Sequence, residues 1–576
     1  MIIMHYRRIL TSLTFILSTQ FGICQHQTLV ITGINLVSTK DGKIESDISV
    51  LIEDSLIKDI AKESKLKIPT GATIIDGKGK WLMPGLIDAH IHFFQSGGLY
   101  TRPDGLNLGK YYSYEKDQQW IKDNLDDEMR RYLACGITTV MDVGGPMRNF
   151  ETRAFCDESP VSPNAYATGP LISTYVPPNL DKKDPPIILA KTEDEARDQV
   201  RKQLPFHPDF IKIWYISLSK TAADETFPMV KAAIDETHKN HLKALVHATE
   251  LHTARLAVQA GCDILVHSVD DSLVDDSFIN LLKQNHVTLI PTLIVKSGYD
   301  RTFSQQFNFT LHDFHMANPF MLGTLYDLQH YPVKDVGGDY HTRRQRIRIP
   351  DRADSNMMEN LKRLYDAGVN IASGTDAGNI GTLHASSFLD ELLAMSASGL
   401  SNAQVLKAST INTAKGFTVD SRIGSVEKGK LADLLLLSKN PMDKLENLDS
   451  IYLLIHRGKL IRTDTLIHST PESLVQQQVN AYNAHNMEAF LETYSDSTEI
   501  GDFQGMRLAK GKEQMRKVYA PLFVPSSSIH TQIVNRLVQG RFVIDKEHVT
   551  GMGPAIDGLV IYEIQKGKII KAQFIQ

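Results

Sequence analysis

The chain has 576 residues, 42% of them hydrophobic and 22% charged, with a formal net charge of −5. That balance supplies apolar material for a large core and excludes wholesale disorder, collagen-like repeats and low complexity. Four Cys are too few for a disulfide scaffold, and without a basic bias no nucleic-acid partner is expected.

At the start, Arg7 and Arg8 precede a mostly apolar run from Ile9 to Leu17. This is the pattern of an export signal over residues 1–24, too short to cross a membrane. Gly22 and Cys24 fall at −3 and −1 for cleavage before Gln25. The expectation is a periplasmic or secreted protein; a lipid anchor on Cys24 or an ordinary apolar strand are the alternatives. No other run has the length and apolarity of a transmembrane helix, so no integral span is expected after cleavage.

Residues 27–82 read as short strands, such as Thr28–Gly33 and Ile48–Ile52. Residues 83–420 alternate apolar strands with helical patterns, as in Gly136–Val143, Phe210–Trp214, Ala244–Ala248, Ile264–His267, Thr288–Thr292 and Val369–Ser373. Repeated βα units predict an α/β fold with a parallel sheet, closed as a (β/α)8 TIM barrel. Residues 421–465 return to strands, so both flanks are expected to build one composite β-sandwich beside the barrel. From residue 471 to 576, a helix with Val475, Val479 and Tyr482 on one face precedes several strands, which predicts a separate α+β domain.

The 21 His are the composition's unusual number. His90 and His92 form the only His-x-His, and roughly one such pair arises by chance. Their place matters more: they end the strand Met83-Pro-Gly-Leu-Ile-Asp-Ala-His-Ile-His. On a strand, i and i+2 share a face, so both imidazoles enter the barrel at the end where barrel active sites lie. Such a pair suits a divalent ion such as zinc; a hydrogen-bonded core pair is the alternative. His247 and His267 end two further strands, and Asp376 follows a fourth in Gly-Thr-Asp, a pattern that also suits a turn or helix cap. Lys212 shares parity with Phe210 and Trp214, and an unpaired ammonium inside a barrel is costly. A neutral amine that reacts with carbon dioxide becomes a carbamate able to bridge two metals; a salt bridge to an Asp is the alternative. His238 with His241 reads as a solvated face and His312 with His315 lies in a long loop region; neither pair is expected to be a metal site.

Together these residues resemble the amidohydrolase superfamily over roughly residues 28–465. The pieces are Pro84-Gly-Leu-Ile-Asp-Ala-His-Ile-His, Gly136-Ile-Thr-Thr-Val-Met-Asp-Val-Gly-Gly, Phe210-Ile-Lys-Ile, the strand-end His, Gly374-Thr-Asp-Ala-Gly and Gly424-Ser-Val-Glu-Lys-Gly-Lys-Leu-Ala-Asp-Leu. They are most similar to the imidazolonepropionase-like branch, which includes Xaa-Pro-type dipeptidases. The resemblance implies two divalent ions, zinc being expected. His90 and His92 would hold the more buried ion, His247 and His267 the second, and carboxylated Lys212 would bridge them. Asp376 would bind the first ion and act as general base. Relatives without the Lys are mononuclear, so Lys212 favours a binuclear hydrolase over a deaminase. Several relatives carry a His two residues before a Glu-Leu pair; Leu389 stands there in this chain.

The C-terminal segment is similar to SnoaL-like, cone-shaped domains through Val479-Asn-Ala-Tyr-Asn-Ala-His-Asn-Met-Glu-Ala-Phe and Gly558-Leu-Val-Ile-Tyr-Glu-Ile. Such domains are isomerases, pocket binders or dimerisation units, so a homo-oligomer through this domain is one expectation. Asp502 and Asp545 are its candidate pocket carboxylates, with surface or turn positions as the alternative. The implied activity is hydrolysis of an amide, peptide or cyclic amide in a small-molecule substrate. Tyr215 is a candidate donor to the carbonyl oxygen. Arg102 is a candidate clamp for a substrate carboxylate or else a solvated loop charge. His384 is a candidate substrate contact or a helix-start residue. Residues 296–352, with Arg343, Arg344, Arg346 and Arg348, form a candidate wall or lid. Rival readings are an ester, lactone or phosphoester cleaved by the same centre, and a non-catalytic periplasmic binding protein, which an incomplete ligand set would favour.

Overall fold

The computed structural model describes residues 27–217, 219–336, 352–524 and 526–575. The expected signal over 1–24 with Cys24, and Arg343, Arg344, Arg346 and Arg348, lie outside the described residues. The first strands are β1 (Thr28–Val37), β2 (Ile44–Glu53), β3 (Leu56–Lys62), β4 (Thr73–Asp76) and β5 (Trp81–Pro84). The parallel strands follow: β6 (Leu86–Ile91), β7 (Ile137–Asp142), β8 (Asn164–Ala167), β9 (Leu171–Ser173), β10 (Ile187–Leu189), β11 (Phe210–Trp214), β12 (Lys243–His247), β13 (Ile264–Val266), β14 (Thr288–Ile290) and β15 (Asn370–Ile371). Then come β16 (Leu434–Leu437), β17 (Ile451–His456) and β18 (Lys459–Ile461).

Both flanks join in one sheet of order β18-β17-β16-β5-β1-β2-β3, with β4 beside β1. Where a two-sheet sandwich was expected, hydrogen bonding runs as one continuous sheet. Its alternation explains its place. Leu434 and Leu436 face the sheet's own apolar cluster with Ile31 and Ile52, while Leu435 and Leu437 join the main core. Each buried Leu contributes roughly 2 kcal/mol of hydrophobic stabilisation.

The parallel strands bury both faces: every residue of β6, β7, β13 and β14 is buried, including polar ones such as Asp88, His90, Thr138 and Asp142. They form a three-stranded sheet β6-β7-β8 and a seven-stranded sheet β10-β9-β11-β12-β13-β14-β15. Backbone bonds also join the two sheets. Ala89 N donates to Ser373 O (2.9 Å), Asp376 N to His90 O (2.7 Å) and His92 N to Ala377 O (2.9 Å), just past β15. On the other side, Asp209 N donates to Ala167 O at 3.0 Å, bringing β8 to the start of β11.

The C-terminal domain comprises β19 (Tyr494–Asp502), β20 (Arg507–Lys510), β21 (His530–Gln539), β22 (Phe542–Thr550), β23 (Ile556–Gln565) and β24 (Lys568–Ile575). They form one sheet of order β20-β19-β24-β23-β22-β21, which packs against helices including Pro471–Asn483. That helix starts where the sequence says it should. Thr470 caps it reciprocally with Ser473, and Pro471 occupies its first turn.

This domain docks firmly on the first. Gly323, in the helix Pro319–Thr324, leaves room for Gln476 and Asn480; a Cβ there would stand 2.7 Å from Gln476 Nε2. Asn480 Nδ2 donates to Pro319 O at 2.7 Å, and Gln477 Nε2 to Phe314 O at 2.6 Å. One apolar cluster runs from Leu99 and Tyr100 through Leu322 to Val475, Phe490 and Val560. His312 and His315, expected in a loop, lie on the short helix Leu311–Met316. Among the described residues no helix is long and apolar enough to cross a membrane.

Removing residues 471–576 strips one side of that shared cluster. The shortened chain is expected to melt at least about 5 °C below the full chain, measured by scanning calorimetry; an unchanged midpoint would show that the two domains are energetically separate.

Candidate active site

The strand ends converge on a cavity of about 340 Å3 lined by His90, His92, Lys212, His247, His267 and Asp376. His90 Nε2 and His92 Nε2 stand 3.3 Å apart, and each is 3.2 Å from Asp376 Oδ1. The ring centroids of His90 and His267 are 5.1 Å apart, and those of His247 and His267 are 4.3 Å apart. His90, His267 and Asp376 offer donor atoms within 4.8 Å of one another, the spacing of a metal-binding group.

Glycine makes this approach feasible. A Cβ on Gly374 would lie 2.8 Å from His90 N, and one on Gly378 would lie 2.6 Å from His92 O. The segment after β15 can therefore run against β6. Asp88 then ties the two together: its Oδ1 accepts from His90 N and Thr375 N, and its Oδ2 from Thr375 Oγ1 at 2.7 Å. Burial pushes the Asp88 carboxyl up to about 7 against those hydrogen bonds. His267, Thr292 and Asp376 take left-handed φ values of 75°, 47° and 59°. Such non-glycine conformations cost of order 1–3 kcal/mol each and persist where surrounding structure over-determines them.

Electrostatics keep the donors ready. Burial, reinforced by the Lys212 charge, holds the imidazoles of His90 and His247 well below their ordinary value; burial and His247 do the same for His267. The neutral ring is the form that binds a metal. His92 Nδ1 lies 2.6 Å from the Gly144 carbonyl oxygen, which only accepts, so Nδ1 carries the proton and Nε2 keeps its lone pair. His267 Nδ1 is oriented by Thr292 Oγ1 at 2.6 Å.

Lys212 is 1% exposed, and its Nζ finds no hydrogen-bond partner among the described residues. An unpaired ammonium in such a place costs several kcal/mol. Burial accordingly pulls it down to about 7, against the attraction of Asp376. His90 Nδ1 is likewise buried without a hydrogen bond. Imidazoles, a carboxylate and an unpartnered amine suit divalent ions.

Arg102 lines the cavity, but its Nε and Nη2 grip Asp104 at 2.8 and 2.6 Å, and its Nη1 donates to Asn379 Oδ1 at 2.7 Å. Its bidentate edge is thus taken by Asp104. Tyr215 is not at the cavity. Its hydroxyl donates to Ala223 O at 2.6 Å, because the parity that turns Lys212 inward turns Tyr215 outward. His384 is also elsewhere: it sits between the Tyr132 hydroxyl and Gln95 O, both at 2.7 Å, and stacks on Phe93. Leu389 packs against the main core. Of the His pairs set aside as metal sites, His238 pairs with Asp263, His312 with Asp449 and His315 with Glu492, while His241 is exposed. In the C-terminal domain, Asp545 is locked to Arg536 and Asp502 caps a turn at Met506 N.

Three supporting groups went unread in the sequence: Asp88, the Gly144 carbonyl and Thr292. Asp88 was findable, since it shares strand parity with His90. Thr292 follows the strand next to His267, but nothing local marks it as an orienting group.

Residues 81–461 match the amidohydrolase family, and residues 475–572 match the SnoaL-like domain. An uncharacterized protein of Mycobacterium tuberculosis (strain ATCC 25618 / H37Rv) is 22% identical over 399 residues, 67% of this chain and 86% of that protein. The crystal structure of a putative prolidase from Bifidobacterium longum is similar with a TM-score of 0.56 and 24% identity, over 77% of this chain and 98% of that one. A Xaa-Pro dipeptidase crystallised with bound methionine has a TM-score of 0.58 and 20% identity, over 76% of this chain and all (100%) of its own. Likenesses of this size speak to the fold.

His384 yields a pH prediction. Burial holds it down at about 4, below its ordinary 6.5. Its neutral form therefore contributes stability that is complete above pH 6.5 and is lost as pH falls towards 4, about 3 kcal/mol in all. A His384→Gln variant lacks this titration, so the thermal midpoint of the wild type is expected to fall more steeply between pH 6.5 and 4 than that of the variant.

Proposed function

The chain belongs to the amidohydrolase family and ends in a SnoaL-like domain, and on that premise we propose that it is a metal-dependent hydrolase of carbonyl–nitrogen bonds. The supporting observation is the meeting of His90, His92, His247, His267, Asp376 and the unpartnered Lys212 amine at one cavity. We read the two parallel sheets as one (β/α)8 barrel of β6-β7-β8 and β11 to β15, bonded across both seams.

In this reading His90, His92 and Asp376 would hold one divalent ion, and His247 and His267 would hold another, with zinc the expected element. Lys212, whose amine burial favours in the neutral form, would add to carbon dioxide and lose a proton, and the resulting carbamate anion would supply a further oxygen donor to the bound metal. Bound there, the ions supply Lewis acidity for attack of water on a carbonyl group. Asp376 takes a proton from the attacking water and returns it to the leaving nitrogen. Phe94, Trp214, Tyr299 and Met357 wall the cavity and exclude bulk water from the reacting carbonyl. Arg102 braces Asn379, which also accepts from the Tyr299 hydroxyl at 3.0 Å, and so shapes the wall. The substrate class is an amide, peptide or cyclic amide.

Purified protein is expected to carry two divalent ions per chain by metal analysis. His90→Ala and Lys212→Ala should each lose metal and lower hydrolysis by roughly 100-fold or more, since even groups that only orient a ligand are worth 10–100-fold. Wild type with less than one ion per chain, or both variants with unchanged hydrolysis, would sink the binuclear reading. A screen of dipeptides, N-acyl amino acids and cyclic amides tests the bond; activity confined to esters, lactones or phosphoesters would overturn the amide assignment. Thr292→Val frees His267 Nδ1, and chelator competition should show metal affinity weakened roughly 10–100-fold.

A further inference from the structure

The C-terminal domain encloses a cavity of its own, of about 290 Å3, that shares no lining residue with the His-lined one. It lies between the helices Pro471–Asn483 and Lys512–Tyr519 and the inner face of the sheet. Its size is at the small end of ligand cavities, and its wall is mainly apolar.

The charge inside it does not balance. On β22, Val543, Asp545 and Glu547 alternate inward. Asp545 is closed off, since Arg536 Nε and Nη2 grip both its oxygens at 2.7 and 2.6 Å and Arg536 Nη1 donates to Gln476. Glu547 lines the cavity, is 8% exposed, and receives one hydrogen bond, from the Tyr562 hydroxyl at 3.0 Å. No cation among the described residues forms an ion pair with it; Arg536, whose charge attracts it, closes on Asp545 instead. Burial pushes its carboxyl up to about 7, with Asp545 adding to the effect. A buried carboxyl group in this condition is stabilised by an incoming positive charge and repels an anion.

The rings around it have the matching property. Tyr482, Tyr494, Tyr519 and Tyr562 line the same cavity. Phe490 fixes three of them, with centroids 4.8 Å from Tyr519, 5.1 Å from Tyr494 and 6.0 Å from Tyr482. Aromatic faces carry negative potential and attract a weakly hydrated cation once water is excluded. We propose that this cavity binds a small organic cation, an ammonium head on an apolar body, with the head held by Glu547 among the tyrosine rings and the body against Val479, Val518 and Leu559.

The test uses the full-length protein and two isosteric probes, benzyltrimethylammonium and neutral neopentylbenzene, followed by ligand-observed NMR. The cation is expected to bind at least ten-fold more tightly than the neutral probe. Glu547→Gln is expected to remove most of that difference while leaving the neutral probe's affinity unchanged. Tyr519→Leu, which keeps the carboxylate, is expected to weaken the cation several-fold, and it carries the test if Glu547→Gln does not fold. Equal affinity for both probes, no binding of the cation, or unaltered cation affinity in a folded Glu547→Gln or Tyr519→Leu variant would overturn the proposal.

Discussion

The seam between β6 and the segment after β15 governs the rest of the candidate site. Three backbone hydrogen bonds cross it, and the buried Asp88 carboxylate clamps it from below. Only there does the chain bring Asp376, far along the sequence, within 3.2 Å of both His90 and His92. Gly374 and Gly378 are needed because any side chain at either place would collide with the backbone of β6 or the turn after it. The left-handed φ of Asp376 then follows as local strain that the seam holds in place. Loops past the seam are zipped in turn: Gly97 N donates to Gly378 O, and Gly381 N to Gly97 O. Arg102 and Asn379 meet across that zipper, so the cavity wall inherits its shape from the same junction.

Uncompensated burial is the second theme. Folding tends to pair buried charge, and Arg536 with Asp545 illustrates the usual outcome. Lys212 in one cavity and Glu547 in the other depart from it, each enclosed without an opposite charge in hydrogen-bonding contact. Perturbed groups of this sort cluster where proteins bind or transform ligands. The first sits among imidazoles, which suits metal ions; the second sits among tyrosine rings, which suits an organic cation.

The two domains share one apolar cluster rather than a tether. Leu99 and Tyr100 follow closely after the His90–His92 pair, and they pack in the same cluster as Val475 and Phe490. Leu99 N accepts no freedom there either: it donates to Thr324 Oγ1 on the helix that carries the C-terminal domain. The domain thereby buttresses the loop that leads from the candidate ligands to Arg102.

The sequence by itself determined the alternation of strands and helices before and after the long segment 296–352, the order of the strands' His, Lys and Asp, and the family resemblance, because these depend on local periodicity and on motifs read within a few residues. Strand parity even decided that Lys212 and Trp214 share a face, and applied one residue further it would have turned Tyr215 away. The tertiary structure decided what depends on partners distant in the chain. Arg102 looked like a free clamp until Asp104 and Asn379 claimed its donors. His384 looked like a substrate contact until Tyr132 and Gln95 enclosed it. Asp545 proved to be spent on Arg536, leaving Glu547 as the carboxyl that faces the cone's cavity. A side chain's availability is the balance of its burial against its hydrogen bonds, and that balance exists only after distant segments have packed.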